Sequence, residues 1–321
     1  MVRNNKILIT GASGFIGSHL VKYFLQYTDF KIIALVRNNY AGNLNRLSSI
    51  PAEYQGRLKI FWKDLKDEFT IFDCHEIGQV AFIYHLAASS HVDRSISNPK
   101  AFVLDNVLGT LNLLEHYRIF NHEAKFLYFS TDEVFGPAPV NIEYKEWDRY
   151  NSSNPYAATK AGAEELCLAY ANTYGLHISI THTMNVFGEL QHPEKYIPLC
   201  INKIKNEKTI KVHSSKNGIP GTRFYIYAGR VAEAIHFLMT TMQKGEKYNI
   251  VGDREIDNLN LAERISDIIN MDLKFELVDF HSSRPGHDLR YALDGSKLKK
   301  MGFKYSSSFE EDLERTVKSY G

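Results

Sequence analysis

Short, continuously apolar runs punctuate the first half of the chain at 6–10, 31–36, 58–62, 81–86 and 125–129, each of strand length. Between them lie longer stretches such as 16–27 and 101–117, where apolar residues return every three or four positions, the period of a helix with one buried face. The alternation predicts strand, helix, strand, helix. Strands apolar on both faces and joined by helices make a parallel sheet covered on each side, so the expected class is α/β, a doubly wound, Rossmann-like parallel sheet. Beyond about residue 186 the pattern turns irregular, with loops such as Ser214-Ser215-Lys216-Asn217-Gly218-Ile219-Pro220-Gly221. The expected organisation is a sheet-bearing part over 1–185, to which later segments return, and a smaller C-terminal lobe over 186–321.

Composition narrows the function classes. With 321 residues, 44% hydrophobic and 23% charged, the chain is an ordinary globular one, long enough for a large core. Thirty-eight basic residues against 37 acidic ones leave a net charge of +1, so no field draws the chain to nucleic acid or an anionic membrane. Cys74, Cys167 and Cys200 are odd in number and far apart, which speaks against a disulfide framework and a structural zinc site and for a reducing, cytoplasmic setting. No apolar stretch approaches the roughly 20 residues of a membrane span, and Met1 to Asn5 lead straight into the first strand, so neither secretion nor insertion is expected. His19, His75, His91, His122 and His182 lack metal-ligand spacing and read as surface or packing residues; no metal site is expected.

Gly11-Ala12-Ser13-Gly14-Phe15-Ile16-Gly17 closes the first strand and opens the first helix. There a pyrophosphate finds a close backbone approach and free N–H groups at the positive end of a helix dipole. Gly11, Gly14, Phe15, Ile16 and Gly17 are therefore candidate contacts of a nicotinamide dinucleotide. At the end of the second strand, where an acidic residue commonly holds the adenosine ribose, the chain has Val36-Arg37-Asn38. Valine accepts no hydrogen bond, whereas Arg37, with Asn38 beside it, suits a ribose 2′-phosphate, which moves the expectation from NAD toward NADP. The alternative is an arginine that is solvated or lies flat on the adenine.

Tyr156 and Lys160 stand four apart in Asn154-Pro155-Tyr156-Ala157-Ala158-Thr159-Lys160, ahead of a run of helix formers, so one helix face carries both. An ammonium beside a phenol favours the phenolate and is expected to lower its pKa from about 10 toward the range of a working base. Alone, such a pair is a common surface feature. Joined to the glycine loop, it resembles the extended short-chain dehydrogenase/reductase family of nucleotide-sugar enzymes, over nearly the whole chain. Phe129-Ser130-Thr131-Asp132-Glu133-Val134-Phe135-Gly136 narrows the resemblance. Its Thr-Asp-Glu is similar to that of the 4,6-dehydratases acting on dTDP-glucose or UDP-glucose. Epimerases lack the acid pair, and the decarboxylases and GDP-mannose dehydratases typically carry Thr-Ser-Glu. Residues 85–95 and 284–292 resemble two longer signatures of the same dehydratases. The bland reading of Asp132 and Glu133 is a solvated turn or an acid pair at a helix start.

The resemblance implies a hydro-lyase that oxidises the sugar at C4, eliminates water across C5 and C6 and returns the hydride to C6. Tyr156 with Lys160 would take the hydroxyl proton, Thr131 would bond the developing carbonyl, Glu133 would abstract the C5 proton and Asp132 would donate to the departing hydroxyl. It also implies a tightly held NADP or NAD touched by Asp64 and Leu65 at the third strand end and by Leu86, Ala87 and Ala88, although Asp64 also reads as a helix N-cap. Substrate contacts carried over are Ser90, Thr131, Asn185, Glu194, Lys195, Arg223, Asn258, Arg284 and His287. A homodimer is implied through the Tyr156 helix and the 101–117 stretch, whose Leu104, Val107, Leu108 and Leu111 recur at helical intervals. Two departures stand out: Ser89 replaces a glutamate of the bacterial dTDP-glucose enzymes, and Arg223-Phe224-Tyr225 replaces arginine-aspartate-tryptophan, after a longer loop. An epimerase or 4-keto reductase on the same scaffold, and a binding protein that senses the cofactor without catalysis, are the competing functions.

Overall fold

A computed structural model describes residues 5–37, 42–279 and 290–321. The strands β1 (Lys6–Thr10), β2 (Lys31–Val36) and β3 (Leu58–Trp62) coincide with the first three apolar runs. β4 (Phe82–His85) is shorter than its run, because from Leu86 the chain leaves the ladder and the Ala87 N–H donates instead to Thr10 Oγ1 at 3.1 Å. β5 (Lys125–Thr131) is longer than its run. Its last residues, Ser130 and Thr131, pair with His182 and Thr183 of β6 (Ile178–Thr183), and hydrophobic patterning does not register strand residues that are polar. β7 (Asn185–Phe187), β8 (Ile210–Ser214) and β9 (Thr222–Tyr227) follow before β10 (Lys247–Ile250). Seven strands form one sheet in the order β10-β6-β5-β4-β1-β2-β3, with every pair parallel. The chain runs outward from β1 to β3 and then returns to β4 on the other side of β1. Crevices open at such a switch point, above the strand carboxyl ends.

Helix α1 (Phe15–Tyr27) and the Ala228–Thr241 helix cover one face, burying Leu20, Val21, Phe24, Ile235 and Leu238 against the sheet. Each such side chain contributes roughly 1.5–3 kcal/mol of transfer free energy. The 101–117 stretch is not one α-helix. Pro99–Phe102 is α-helical, Val103–Leu108 is π-helical, and α2 (Gly109–Phe120) resumes the regular pitch. With α3 (Pro155–Tyr174), α2 covers the second face through Leu113, Leu114, Tyr117, Ala163, Cys167 and Ala171. The second part of the molecule holds a three-stranded sheet, β11 (Glu255–Asp257) beside β9 beside β7, and the parallel pair of β8 with β12 (Phe275–Asp279). Its own core gathers Phe187, Ile197, Ile201, Leu261, Ile265, Phe309 and Leu313. The chain crosses between the two parts repeatedly, since the 228–250 segment rejoins the large sheet. No helix of the described residues is long and apolar enough to cross a membrane.

Two glycines let the β1–α1 turn close. Gly11 has φ +67°, and a Cβ there would stand 2.8 Å from the Ala87 nitrogen. A Cβ on Gly17 would meet the Gly11 carbonyl oxygen at 2.2 Å, a backbone atom that cannot step aside. Gly17→Ala is therefore expected to cost about 1–3 kcal/mol, the usual penalty of overpacking. Urea unfolding measures it, and a variant as stable as the wild type would show that the turn relaxes freely.

Candidate active site

Over the carboxyl ends of β1, β4, β5 and β6 lies a cavity of about 540 Å³. It collects Gly11, Gly14, Phe15, Ile16, Gly17, Arg37, Leu86, Ala88, Ser90, Thr131, Asp132, Glu133, Tyr156, Lys160, Asn185, Glu194 and Lys195, which the sequence places far apart. A smaller cavity of about 100 Å³ shares its glycine-loop wall and adds Asp64, Leu65 and Ala87. Arg223 and Asn258 are not among the residues lining either cavity. The Arg223 guanidinium lies 4.8 Å from the Tyr291 ring centre, and the Asn258 side chain accepts from the Tyr225 hydroxyl at 2.9 Å. Asn38, Arg284 and His287 lie outside the described residues.

Gly14 caps α1 without a side-chain bond, so the first-turn N–H groups face a surface that carries no Cβ at Gly11 or Gly14. That arrangement suits a diphosphate. Arg37 differs from its sequence expectation of a free partner for a phosphate. Its Nη1 and Nη2 donate to both oxygens of Asp105 at 2.8 and 3.0 Å, and Nη1 also reaches Asp64 at 3.1 Å. Asp64 is thus an ion-pair partner rather than a helix cap. Burial opposes ionisation of Asp105, but hydrogen bonds from Arg37 and Ser89 hold it below the usual carboxylate range. Ser89, at the position where the family glutamate was expected, donates to Asp105 at 2.6 Å. In the π-helical turn, the buried Asn106 accepts from the Ser89 N–H at 2.7 Å and donates to the Ser89 carbonyl and to Thr159 Oγ1, both at 3.0 Å. The turn therefore ties the β4 loop to the helix that bears Lys160, a use typical of π-turns.

Thr131 ends β5, and a tight turn carries Asp132 and Glu133 beneath the N-terminus of α3. Thr131 Oγ1 donates to Asp132 Oδ1 at 3.0 Å, while Asp132 Oδ2 is buried with no hydrogen-bond partner among the described residues. Burial, then the charge of Glu133, push the Asp132 carboxyl up to about 7, against the opposing pull of Thr131 and Arg223. It is a carboxyl still partly protonated at neutrality. Lys160 donates to the Phe129 carbonyl at 2.7 Å and stands 4.2 Å from the centre of the Tyr128 ring. Burial brings it down to about 8, with the charge of Glu164 one helical turn on working the other way. Tyr156 departs from expectation: its phenol is pushed up, not down, by burial first and by the Glu133 charge second, and the hydrogen bond with Thr131 offsets only part. Lys160 donates to a backbone carbonyl, and burial and the Glu133 charge dominate at the phenol, so the fold alone does not make Tyr156 a phenolate.

Several site residues escaped the sequence. His91, read there as a surface or packing residue, lines the main cavity with its Nε2 3.5 Å from Glu194. Arg46 also lines it, and its guanidinium donates to the Ser13 carbonyl at 3.1 Å and the Leu190 carbonyl at 3.0 Å, joining the glycine loop to the smaller lobe. Asp105 was the one carboxylate in the apolar Phe102–Leu108 stretch, a signal that was available. Glu164 and His182, both without exposed side-chain surface, form a 3.0 Å contact beneath α3.

The glycine loop, the Tyr156–Lys160 helix and an acid pair at the β5 end share one cleft, and comparison with known proteins identifies the group that shares them. The family model described as GDP-mannose 4,6 dehydratase matches residues 8–316. The chain belongs to that family. The dTDP-glucose 4,6-dehydratase of Haemophilus influenzae is 36% identical, over 98% of this chain and 97% of that one. A trifunctional UDP-glucose 4,6-dehydratase/UDP-4-keto-6-deoxy-D-glucose 3,5-epimerase/UDP-4-keto-L-rhamnose-reductase of Arabidopsis thaliana is 35% identical, over 98% of this chain and 46% of that one. Among solved structures, DesIV, a dTDP-glucose 4,6-dehydratase from Streptomyces venezuelae with NAD bound, superposes with a TM-score of 0.89 at 33% identity, over 98% of this chain and 96% of that one. The resemblance read from the glycine loop, Thr131-Asp132-Glu133 and the Tyr-Lys pair is thereby established.

The Asp132 carboxyl titrates at 3.8 when unperturbed and at about 7 in the fold, so between those values the folded chain keeps a proton that the unfolded chain has released. This contribution to stability is full below about pH 4 and is lost as pH rises through about 7. Asp132→Asn cannot ionise. It should therefore gain stability relative to wild type between about pH 4 and pH 8, by on the order of 2–4 kcal/mol. Urea denaturation at the two ends of that range is the measurement, and a stability difference independent of pH would mean that Asp132 titrates normally.

Proposed function

We propose that the protein is a nucleotide-glucose 4,6-dehydratase, converting dTDP-glucose or UDP-glucose to the 4-keto-6-deoxy sugar. The observation that carries this reading is Asp132, a buried carboxyl with its pKa brought to about 7, beside Glu133 in the cleft of Tyr156 and Lys160. An epimerase has no use for such an acid, since it expels no C6 oxygen. A nicotinamide, when bound, supplies the place where the C4 hydride is held until it returns to C6. Tyr156, with the Lys160 charge behind it, takes the proton of the C4 hydroxyl, and Thr131 hydrogen-bonds the oxygen as it becomes a carbonyl. The ketone acidifies C5. Glu133 removes that proton while Asp132 gives its own to the C6 hydroxyl, which leaves as water. Once the hydride is back on C6, Glu133 returns a proton to C5. One water is lost, and the site is reset when the proton that Tyr156 took from O4 is released to solvent and Asp132 takes up a proton in its place.

The sheet-bearing part holds the dinucleotide in this reading, and the smaller lobe holds the nucleotide sugar through Asn185, Glu194 and Lys195, with Arg223, Asn258, Arg284 and His287 at its diphosphate and ribose. Of the two cofactors we read NAD as preferred, reversing the expectation drawn from Val36-Arg37. A 2′-phosphate has to share Arg37 with Asp105 and Asp64, which already occupy both terminal nitrogens. The chain pairs with a second copy through α3 and the 99–120 helical run, where Leu104, Val107, Leu108 and Leu111 are only half-buried. Its three cysteines, all buried and free, suit the cytoplasm.

Purified protein given dTDP-glucose and UDP-glucose should release a product lighter by one water. An epimer of unchanged mass would sink the assignment. Glu133→Gln should stop solvent proton exchange at C5, and Asp132→Asn should allow oxidation but block loss of the hydroxyl. For the cofactor, the protein should retain NAD through purification. Asp105→Asn, by releasing Arg37, should shift relative affinity toward NADP by about tenfold. Calorimetric titration of both dinucleotides reads this directly, and an unmoved ratio would mean that the ion pair does not set the preference.

A further inference from the structure

Immediately before the Tyr156 helix stands Asn154, an asparagine whose side chain is used at both ends. It is buried, at 6% exposure, and caps α3 with Oδ1 accepting from the Ala157 N–H at 2.9 Å. Its Nδ2 donates to Glu133 Oε2 at 3.0 Å. The two partners leave the amide no choice of orientation, because a backbone N–H is met only by oxygen and a carboxylate only by N–H. We propose that Asn154 is a positioning residue for Glu133, holding one carboxylate oxygen so that the plane of the group, and hence its other oxygen, is set for the proton at C5. This rests on Glu133 being the base of the dehydration proposed above.

Capping alone does not call for asparagine. Serine, threonine and aspartate cap helices about as well. Serine and threonine lack the reach and the second polar end, and aspartate would face Glu133 with a like charge. Among these cap residues, asparagine alone joins an acceptor for the helix to an N–H for a neighbouring carboxylate. The surroundings make the link stiff. The Asn151 N–H donates to the Val134 carbonyl at 2.9 Å, and Gly136, at φ +74°, lies so close that a Cβ there would stand 2.2 Å from the Asn151 oxygen. The segment ahead of α3 is thus pressed onto the turn that carries Asp132 and Glu133. Two residues past Asn154 comes Tyr156, so one side chain relates the base of the oxidation step to the base of the elimination step.

The test separates these steps. Asn154→Ser keeps a cap and loses the carboxylate contact; Asn154→Ala loses both. Wild type and both variants are compared for thermal unfolding, for reduction of bound cofactor on mixing with nucleotide-glucose, for solvent deuterium entering C5, and for KM. Asn154→Ser should unfold within a few degrees of wild type, reduce the cofactor at the wild-type rate, keep its KM, and exchange C5 about 10- to 100-fold more slowly. Asn154→Ala should show the same kinetic split with an added loss of stability. Wild-type exchange in Asn154→Ser, or an equal slowing of oxidation and exchange, overturns the proposal. Glu133→Gln run alongside keeps the two readings apart. If it leaves exchange intact, Glu133 is not the base; if it stops exchange while Asn154→Ser does not, only the role of Asn154 falls.

Discussion

The site depends on one carboxylate with no exposed surface. Glu164 receives Ser130 of β5 and the Tyr150 hydroxyl, meets His182 of β6 at 3.0 Å, and lies 3.8 Å from Lys247 of β10. Burial opposes its ionisation, yet the His182 charge and the bonds from His182, Ser130 and Tyr150 outweigh that and keep it below the ordinary range. An unpaired buried charge costs several kcal/mol, so this contact admits little freedom in how α3 lies on the sheet. Tyr156, Lys160 and the cap Asn154 take their places from that placement. Ser130 and Thr131 extend β5 far enough to carry the acid pair under the same helix.

Burial also sets the chemistry. Taking charge out of water lifts Asp132 to about 7, brings Lys160 down to about 8 and pushes the Tyr156 phenol upward, all in one enclosed cleft. The first shift makes a carboxyl into a proton donor. The last leaves the tyrosine protonated until more positive charge arrives beside it. A bound nicotinamide in its oxidised form would bring such a charge to the cleft.

At the end of β2 the chain redistributes its acids. Where the second strand commonly ends in an acid, Val36 is buried in the sheet, and the nearby carboxylates come from the loop after β3 and the π-helical turn as Asp64 and Asp105. Arg37 between them is an internal tie. Ser89 joins the tie through Asp105, so the residue at 89 and Arg37, next to Val36, share one hydrogen-bonded cluster.

The first five strands, the glycine loop and the Tyr-Lys pair were legible because each depends on local periodicity or on residues a few positions apart, whereas β6 and β10 of the same sheet were not picked out. The polar end of β5 was not, since its pairing with His182 and Thr183 replaces the apolar signal. Nor was the fate of Arg37: a sequence displays a charge but not the partner it has met, and Asp105 lies 68 positions on. The fall of the Tyr156 pKa, expected from an i, i+4 neighbour, failed because the fold aims Lys160 at the Phe129 carbonyl and encloses the phenol. By itself the sequence determined which residue types were present, which stretches form the first five strands and which family motifs they carry. Only the tertiary structure decided which charges were already spent and which were buried, because solvation and ion pairing belong to the space between elements that are distant along the chain.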